Sequence, residues 1–329
     1  MDVTEVGLKN KTAVIKEAKA IACYHLDEAV ASAKECVQQG MFSRTVVVKM
    51  KSKSQYVVQL CVETVHEENS QQAHDILGDI VPVPTRVILP ESPVPYTYIM
   101  PFIEGSTWYR ARWVAPQFEG HHVKVAEQIG EIIGKCCAPP NKGVPSSIDT
   151  FIIPRLEMYE KWDEPTIGPF KPLSRNCLDR VGELKKLPLC WTHYDINMMN
   201  TIVDEDSGTL KGILDWEESY WMPLGINTCR IVELAADNRG GKLEPKSFSG
   251  DMEKAFWTGL FRCAPKEIRS LLSEMQLAMD IGMIMDTFFE AKNPPHPSHV
   301  GVLSDALATY CVPRDLSFLV YPSCSSLTF

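Results

Sequence analysis

The stretch HYDINMMNTIVDEDSGTLKGILDWE, residues 193–217, decides the fold of this chain. Polar side chains gather at its two ends, and apolar runs such as NTIV and GIL lie between them. Runs of this kind are typical of short strands, which hold a polar loop rigidly in place. If NTIVD and KGILD form a hairpin, we expect Asn200 and Asp215 to lie close together.

The polar residues of this stretch predict a site for a divalent cation and a proton acceptor. Asn200 and Asp215 offer two oxygen ligands, which suits Mg²⁺ because this ion keeps several waters and takes few protein carboxylates besides phosphate oxygens. Asp195 is expected nearby as a third acceptor, able to take a proton from a hydroxyl. His-x-Asp-x-x-x-x-Asn followed by a strand-end Asp is the arrangement that phosphoryl transfer from Mg-ATP requires.

A purely structural loop is the alternative to this interpretation. A loop with Asp and Asn between strands is common, and His-x-Asp alone is a weak signal. The set of His193, Asp195, Asn200 and Asp215 is more specific, because each residue adjoins a β-like run. His193 is counted with the catalytic residues, and its expected role is to brace the loop by hydrogen bonds.

The composition is that of an acidic globular protein. The chain has 329 residues, 45% of them hydrophobic, and a formal net charge of -9. Acidic chains repel nucleic acid and anionic membranes, so neither is an expected partner. The sequence shows no signal-peptide pattern and no run of the roughly 18 apolar residues that span a bilayer. Eleven scattered cysteines without a Cys-x-x-Cys motif indicate reduced thiols and a cytoplasmic protein.

The first third of the chain is predicted to combine helices with a sheet. Residues 11–39 are predicted to be helical. Two β-branched runs in TVVVKMKSKSQYVVQL predict a hairpin around Ser52-Lys53-Ser54. A polar helix is expected at about 64–78, and YTYIMPFIEG (96–105) begins as a strand.

Helical periodicity dominates the rest of the chain. One stripe of a predicted helix is apolar: Val123, Ala126, Ile129 and Ile133. The His121-His122 pair leads this helix and is expected at the surface. These patterns indicate an α+β fold with a small N-lobe of sheet and helix, residues 1–104, and a larger, mainly helical C-lobe, residues 105–329.

At HYDINMMNTIV and GILDWE the sequence resembles the aminoglycoside phosphotransferase and choline-kinase-like family, whose pattern there is close to HGDLxxxNIL and GxIDWE. QGMFSRTVVV resembles the family's glycine-loop region, VPVPTRVIL the stretch before the fifth strand, and YIMPFIEGSTW the hinge. MPLGINTCRIVELAADN, MEKAFW and AMDIGMIMD resemble C-lobe helices of a poorly characterised fungal branch. The resemblance covers residues 35–290 and is strongest in 188–227.

The resemblance implies a protein-kinase-like, two-lobe fold and an ATP- and Mg-dependent phosphotransferase acting on a hydroxyl of a small molecule, with secondary metabolism as the suggested setting. It makes Asp195 the catalytic base and assigns Mg²⁺ to Asn200 and Asp215. The nucleotide-binding residues that it implies are Gly40 and Ser43 at the phosphates, Gln59 on the third strand, and Pro101, Phe102 and Ile103 at the adenine. The substrate-binding residues are Tyr194, Glu217 and Glu218.

The sequence departs from the family pattern at several positions. Tyr194 stands where the family has Gly, so a ring is expected to close off part of the acceptor side. The strand YVVQL lacks the Lys that orients ATP, because Gln59 or Cys61 holds the inward-facing position. Lys49 or Lys51 on the neighbouring strand could substitute, but a solvated face is the favoured explanation of these two lysines.

These departures leave a second function open. Glu67 and Glu68 are candidates for the helix Glu that pairs with the ATP-orienting Lys, and GMFSRT contains a single Gly. The chain could therefore be a catalytically weak or repurposed kinase-fold protein that binds a nucleotide or metabolite, or does non-phosphoryl chemistry. Glu217 and Glu218 fit either the acceptor pocket and the outer shell of the metal, or solvated charges at a strand end.

Overall fold

A computed structural model describes residues 10–319 except 38, 40–42, 91, 93, 115, 138–145, 162–167 and 288–296. The chain divides into two compact units, Met1–Gly105 with Lys211–Glu218, and Ser106–Leu210 with Ser219–Phe329. The first unit is built around a β-sheet and the second is mainly helical, which confirms the α+β class.

Ten α-helices and twelve strands are defined within the described residues, besides short helical turns. In chain order they are α1 (Lys11–Leu26), β1 (Val30–Glu35), β2 (Ser43–Met50), β3 (Gln55–Cys61), α2 (Glu67–Leu77), β4 (Thr85–Arg86), β5 (Tyr96–Pro101), β6 (Ser106–Thr107), α3 (Trp108–Val114), α4 (His122–Lys135), α5 (Ile153–Lys161), α6 (Lys171–Arg180), β7 (Leu189–His193), β8 (Thr201–Val203), β9 (Leu210–Ile213), β10 (Ser219–Pro223), α7 (Ile231–Ala235), β11 (Ala236–Arg239), β12 (Lys242–Pro245), α8 (Ser249–Cys263), α9 (Leu272–Thr287) and α10 (Pro297–Thr309). The strands β8 and β9 correspond to the apolar runs NTIV and GIL of the opening stretch.

The prediction of one helix over residues 11–39 is wrong. α1 ends at Leu26, and Asp27 follows it in the left-handed region with φ 48°. VASAKE then forms β1, which pairs with β2 in antiparallel register. Small residues in this segment suit either a helix or a half-buried strand, so the pairing with β2 decides its structure.

α1 packs on one face of a five-stranded sheet with the strand order β1-β2-β3-β5-β4. The shared core contains helix residues and every second residue of the central strands: Val14, Ala18, Ile21, Ala22, Val46, Val48, Val58, Leu60 and Ile99. Because side chains alternate along a strand, the residues between these positions lie on the opposite face of the sheet.

Two local predictions for the first unit are confirmed. β2 and β3 form a hairpin around Ser52-Lys53-Ser54, and Lys53 turns the chain with φ 78°. The polar helix expected at about 64–78 is α2, which ends before Gly78 at φ 72°. Glycine adopts this left-handed backbone without a steric cost, so it stops the helix where the sequence indicates.

In the second unit α4 and α8 pack backbone to backbone. A Cβ atom at Gly130 would overlap the Phe256 carbonyl oxygen, and one at Gly259 would overlap the Glu127 carbonyl oxygen. The two helices can approach this closely because neither glycine carries a side chain.

The apolar stripe predicted for α4 is buried at three of its four positions. Val123 is half-buried, and Val125 beside it is fully buried. His122, which was expected at the surface, is 5% exposed. The helix is therefore rotated slightly from the predicted orientation, and its first residue belongs to the core.

Short antiparallel pairs complete the second unit. β7 pairs with β10 so that His193 lies opposite Ser219, and β6 pairs with β8. Within the described ranges, no helix combines the length and the apolar character that crossing a membrane requires.

Candidate functional site

A polar loop leaves the buried strand β7 at His193 and enters β8 at Thr201. The strand residues before the loop are buried, whereas Asp195 within it is exposed. His193 is 1% exposed, and its Nδ1 accepts a hydrogen bond of 3.0 Å from the Asp195 backbone N–H. The histidine thus fixes the backbone at the residue that carries the carboxylate.

The Asp195 carboxylate is held by two side-chain amides. Asn197 Nδ2 donates to Asp195 Oδ1 at 2.9 Å, and Asn200 Nδ2 donates to Asp195 Oδ2 at 3.0 Å. Asn200 Nδ2 also lies 3.0 Å from the Asp195 carbonyl oxygen. Both carboxylate oxygens therefore have a fixed direction, which general-base catalysis needs.

Asn197 is the loop residue that the sequence interpretation missed. Its Oδ1 accepts from the backbone N–H of Met199 at 2.7 Å and of Asn200 at 3.1 Å. Its own carbonyl oxygen accepts from the Thr201 hydroxyl at 2.8 Å. Asn side chains form such turns two residues ahead of themselves, so the Asn-x-x-Asn spacing was the available signal.

Tyr194 lies buried next to Asp195, at 7% exposure. Its ring is in edge contact with Phe151, at 6.3 Å between centroids, and the Arg230 guanidinium lies 5.7 Å from its centroid. Burial raises the pKa of the Tyr194 phenol well above its ordinary value. Tyr194 is thus a neutral, packed side chain, and its predicted role on the acceptor side stays a prediction.

Arg230 lies against the Tyr194 ring. Among the ion-paired cations described in the second unit, its side chain is the most buried. Its side chain is 4% exposed and pairs with Glu233 at 3.0 Å and with Asp286. Both carboxylates are partly exposed, at 43% and 38%. The pairs compensate the cost of burying the guanidinium and keep it against the Tyr194 ring.

In the first unit an acidic segment follows β9. Asp215 is exposed and has φ 68°, a left-handed backbone that is uncommon for a residue other than glycine. Trp216 is 1% exposed, and its Nε1 donates to the Ile213 carbonyl oxygen at 3.0 Å. Asn69 Nδ2 on α2 donates to the Glu217 carbonyl oxygen at 2.5 Å. An anchored indole and a helix side chain therefore hold this segment on both sides.

The Asp215 and Glu217 carboxyls interact directly. Burial, followed by the charge of Asp215 and a hydrogen bond with it, raises the pKa of Glu217 to about 8. The pKa of the Cys61 thiol on β3 is raised to about 12. Burial is the largest cause, and the charges of Glu217 and Asp215 add to it. Glu218 is exposed. Two close carboxyls of this kind repel each other, and a cation relieves that repulsion.

On α2 the residue that contacts this acidic segment is Asn69. The sequence had suggested Glu67 and Glu68, which directly precede it. Glu67 accepts a backbone hydrogen bond from Arg86 at 3.3 Å, and Glu68 is exposed beside His66. Neither hydrogen bond involves an ATP-orienting cation.

Several predicted nucleotide-binding residues lie on the sheet face opposite α1. Ser43 pairs with Cys61 and Gln59 pairs with Tyr98 in the strand register, so both alternate with core residues. Lys49 is exposed on the same face, and Lys51 is exposed in the hairpin turn. On β3 itself this face presents an amide and a neutral thiol, at Gln59 and Cys61.

The hinge residues follow β5. Pro101 is exposed at the strand end, and the Phe102 N–H donates to the Gln55 carbonyl oxygen at 3.2 Å. Ile103 packs so closely against Gly212 that a Cβ there would overlap its side chain. Gly40 lies outside the described residues.

The side chains fit a hard cation better than a soft one. In the second unit the Asn200 amide nitrogen donates to Asp195, and in the first unit the Asp215 carboxyl interacts with that of Glu217. Amide and carboxylate oxygens are ligands of Mg²⁺. Among the described residues, no three His, Cys, Asp or Glu side chains group as a ready-made metal site.

Solved structures with the same fold belong to small-molecule kinases. An ethanolamine kinase of Plasmodium vivax is 17% identical with a TM-score of 0.58, covering 93% of this chain and 90% of that one. The aminoglycoside phosphotransferase APH(4)-Ia is 14% identical with a TM-score of 0.56, at 89% and 98% coverage. A choline kinase of Cryptosporidium parvum is 11% identical with a TM-score of 0.54, at 91% and 95% coverage. Identities this low establish the fold alone.

Sequence comparison places the chain more specifically. No curated protein sequence matches it. The sequence model of the phosphotransferase enzyme family (APH) matches residues 39–226, which include the loop around Asp195 and the segment at Asp215. The match spans more than half of the chain, and the chain therefore belongs to the phosphotransferase enzyme family.

Proposed function

We propose that this protein transfers the γ-phosphoryl group of ATP to a hydroxyl group of a small molecule, with Mg²⁺ as cofactor. The observation that carries the proposal is the Asp195 carboxylate, which is exposed at the end of a buried strand and held by Asn197 and Asn200. Membership of the phosphotransferase family supports the reaction class.

In this mechanism Asp195 orients the acceptor hydroxyl and accepts its proton as the oxygen attacks phosphorus. The His193 hydrogen bond fixes the Asp195 backbone, and the two amides fix the carboxylate. Asn200 and Asp215 are the proposed Mg²⁺ ligands, and Glu217 supports Asp215. Bound Mg²⁺ would neutralise the charge of the transferred phosphoryl group.

We extend the proposal to the acceptor, the residues that contact it and the cellular location of the protein. The acceptor is a small alcohol or amino alcohol, as expected for secondary metabolism, and Tyr194, Glu217 and Glu218 are its proposed contacts. A cytoplasmic location is favoured by the cysteines, since every cysteine that the structure describes is a free thiol. A fungal origin stays a prediction from the C-lobe helices alone.

One observation favours a second function. The β3 side chains Gln59 and Cys61 are uncharged and do not supply the cation that usually pairs with the nucleotide phosphates. A protein of this kind could bind a nucleotide or metabolite without transferring phosphate. In the leading proposal Lys49, on the same sheet face, supplies that charge.

The first experiment separates binding from transfer. Melting temperatures are measured with ATP, Mg²⁺ and both together, because a ligand that binds only the folded state raises stability by RT ln(1 + [L]/Kd). A metabolite mixture is then incubated with Mg-ATP and searched by mass spectrometry for products that carry an added phosphate. A Mg-dependent nucleotide shift together with such a product supports the kinase proposal.

Asp195→Asn tests the catalytic assignment. We expect turnover to fall by about 10²–10⁴-fold, while the nucleotide-induced shift in melting temperature is kept. Asp206→Asn, an exposed Asp in the turn before β9, is the matched control and should leave both unchanged. Unchanged turnover in Asp195→Asn would exclude Asp195 as the base. Nucleotide binding without any product would favour the second function.

A further inference from the structure

Two cysteines face each other where the chain leaving α4 runs beside the start of β7. Cys137 and Cys190 are partners in an isolated antiparallel β-bridge. The Trp191 N–H donates to the Cys136 carbonyl oxygen at 3.0 Å. This bond joins the residue before Cys137 to the residue after Cys190, so the two cysteines form a non-hydrogen-bonded pair.

Non-hydrogen-bonded pairs bring side chains close together. Their Cα atoms are typically about 4.5 Å apart, closer than in hydrogen-bonded pairs. Disulfides form at Cα separations of about 4.4–6.8 Å, so the backbone can accept a bond without moving. Both thiols also point to one acceptor, since Cys137 Sγ and Cys190 Sγ lie 3.8 Å and 3.3 Å from the Ile133 carbonyl oxygen.

We propose that Cys137 and Cys190 are an oxidative modification site, at which a hydroperoxide converts the two thiols into an intramolecular disulfide. Cys190 is fully buried, whereas Cys137 is partly exposed and is the thiol that an oxidant reaches first. A hydrogen bond with the Cys137 thiol, together with burial, raises the pKa of Cys190, so Cys190 does not react with external oxidants by itself.

The reaction balances with one equivalent of hydrogen peroxide. The Cys137 sulfur attacks the peroxide O–O bond, which gives a sulfenic acid and releases water. The Cys190 sulfur then attacks the Cys137 sulfur, the S–O bond breaks, and a second water leaves with the thiol proton. The two sulfurs are oxidised and the peroxide oxygens are reduced.

The bond would tie the end of α4 to the strand that carries His193. β7 begins at Leu189 and ends at His193, where the polar loop starts. A disulfide between distant chain positions restricts the unfolded chain, so oxidation should stabilise the second unit. Thiol reagents would reverse it, because one of the two bonded sulfurs, that of Cys137, is partly exposed.

The test uses the full chain with Cys23, Cys311 and Cys324 replaced by Ser, which removes thiols that could link molecules. Dilute protein is treated with hydrogen peroxide, unreacted thiols are alkylated under denaturing conditions, and the peptides are mapped by mass spectrometry. We expect a mass loss of two hydrogens, a cross-linked peptide containing Cys137 and Cys190, and a melting temperature several degrees higher that dithiothreitol reverses.

Two variants make the result decisive. Cys137→Ser should abolish the cross-link and the stabilisation, whereas Cys263→Ser, at another partly exposed cysteine, should keep both. Cys190→Ala gives a second test if one variant folds poorly. The proposal is overturned if Cys190 remains fully alkylated after peroxide treatment, if Cys137 stops at sulfinic acid, or if the cross-link joins Cys136 instead.

Discussion

Asn197 and Asp195 are joined by a hydrogen bond of 2.9 Å from the amide Nδ2 to the carboxylate Oδ1. The same Asn197 side chain accepts the backbone N–H groups of Met199 and Asn200 through its oxygen. The Asn197 side chain thus shapes the turn of the loop and orients the Asp195 carboxylate.

We predict that Asn197→Asp separates these two tasks. The new carboxylate can still accept the two N–H groups, so the melting temperature should change little. Its charge would lie beside the Asp195 carboxylate and repel it, where the amide now donates a hydrogen bond, so kcat should fall. Asn197→Ala should lose both tasks and lower kcat about 10²-fold. If Asn197→Asp keeps the kcat of the parent, Asn197 does not act on Asp195.

The burial of His122 leads us to predict that the protein loses folding stability in acid. Burial, with the charges of Lys246 and Arg112, lowers the pKa of His122 from 6.5 to about 4, and Trp108 Nε1 donates to its Nδ1 at 2.8 Å. A group whose pKa is lower when folded stabilises the protein above its unfolded pKa. This stability is lost as the pH falls from about 6.5 towards 4 and is on the order of 2 kcal/mol.

The measurement compares chemical denaturation of the parent and His122→Gln between pH 7 and pH 4.5. The variant should be less stable at neutral pH and should lose less stability on acidification. His121→Gln, at the neighbouring histidine, should follow the parent at every pH. Parallel curves for the parent and His122→Gln would contradict a buried neutral imidazole.

Arg230→Met should destabilise the second unit by about 2–3 kcal/mol. The change leaves Glu233 and Asp286 without their cation, although their partial exposure allows some rehydration. Arg180→Met is the control, because Arg180 and Glu183 are about one-third exposed and such pairs contribute about 0–1 kcal/mol. Equal losses in the two variants, measured by urea denaturation, would show that the burial of Arg230 has no special importance.

Two glycines of α8 should respond oppositely to alanine. Gly259→Ala introduces a methyl group against the Glu127 carbonyl oxygen and should cost about 2–3 kcal/mol. Gly250→Ala meets no atom within 4 Å and should be neutral or stabilising by up to about 1 kcal/mol. Thermal unfolding of both variants checks the contrast, and a tolerated Gly259→Ala would show that the helices can separate.

The regular parts of the fold could be predicted because the signals were local. The end of α2 depends on Gly78, a residue type that favours positive φ, and the β2–β3 hairpin follows from two β-branched runs that flank a short polar stretch. VASAKE was assigned wrongly because its structure depends on a partner strand, β2, that local periodicity does not reveal. His122 was misplaced for a similar reason, since its burial depends on Trp108 and Phe248 from other elements.

For the candidate site, the sequence predicted candidate residues but not how their side chains are held. Asp195, Asn200 and Asp215 follow from residue type and spacing. The bracing by Asn197, the Asn69 hydrogen bond to Glu217 and the guanidinium beneath Tyr194 required coordinates, because the pairs Asn69–Glu217 and Arg230–Asp286 join positions far apart in the sequence. The convergence of Asn200 with Asp215 stays a prediction.

The uncharged β3 face has a consequence for regulation of the proposed reaction. Where an ammonium group is built into a strand, part of the counter-charge for a triphosphate is always present. Gln59 and Cys61 leave that task to mobile ions and to side chains at the rim of the sheet. If the proposed reaction is correct, binding of the triphosphate would therefore depend on the cation concentration of the surroundings.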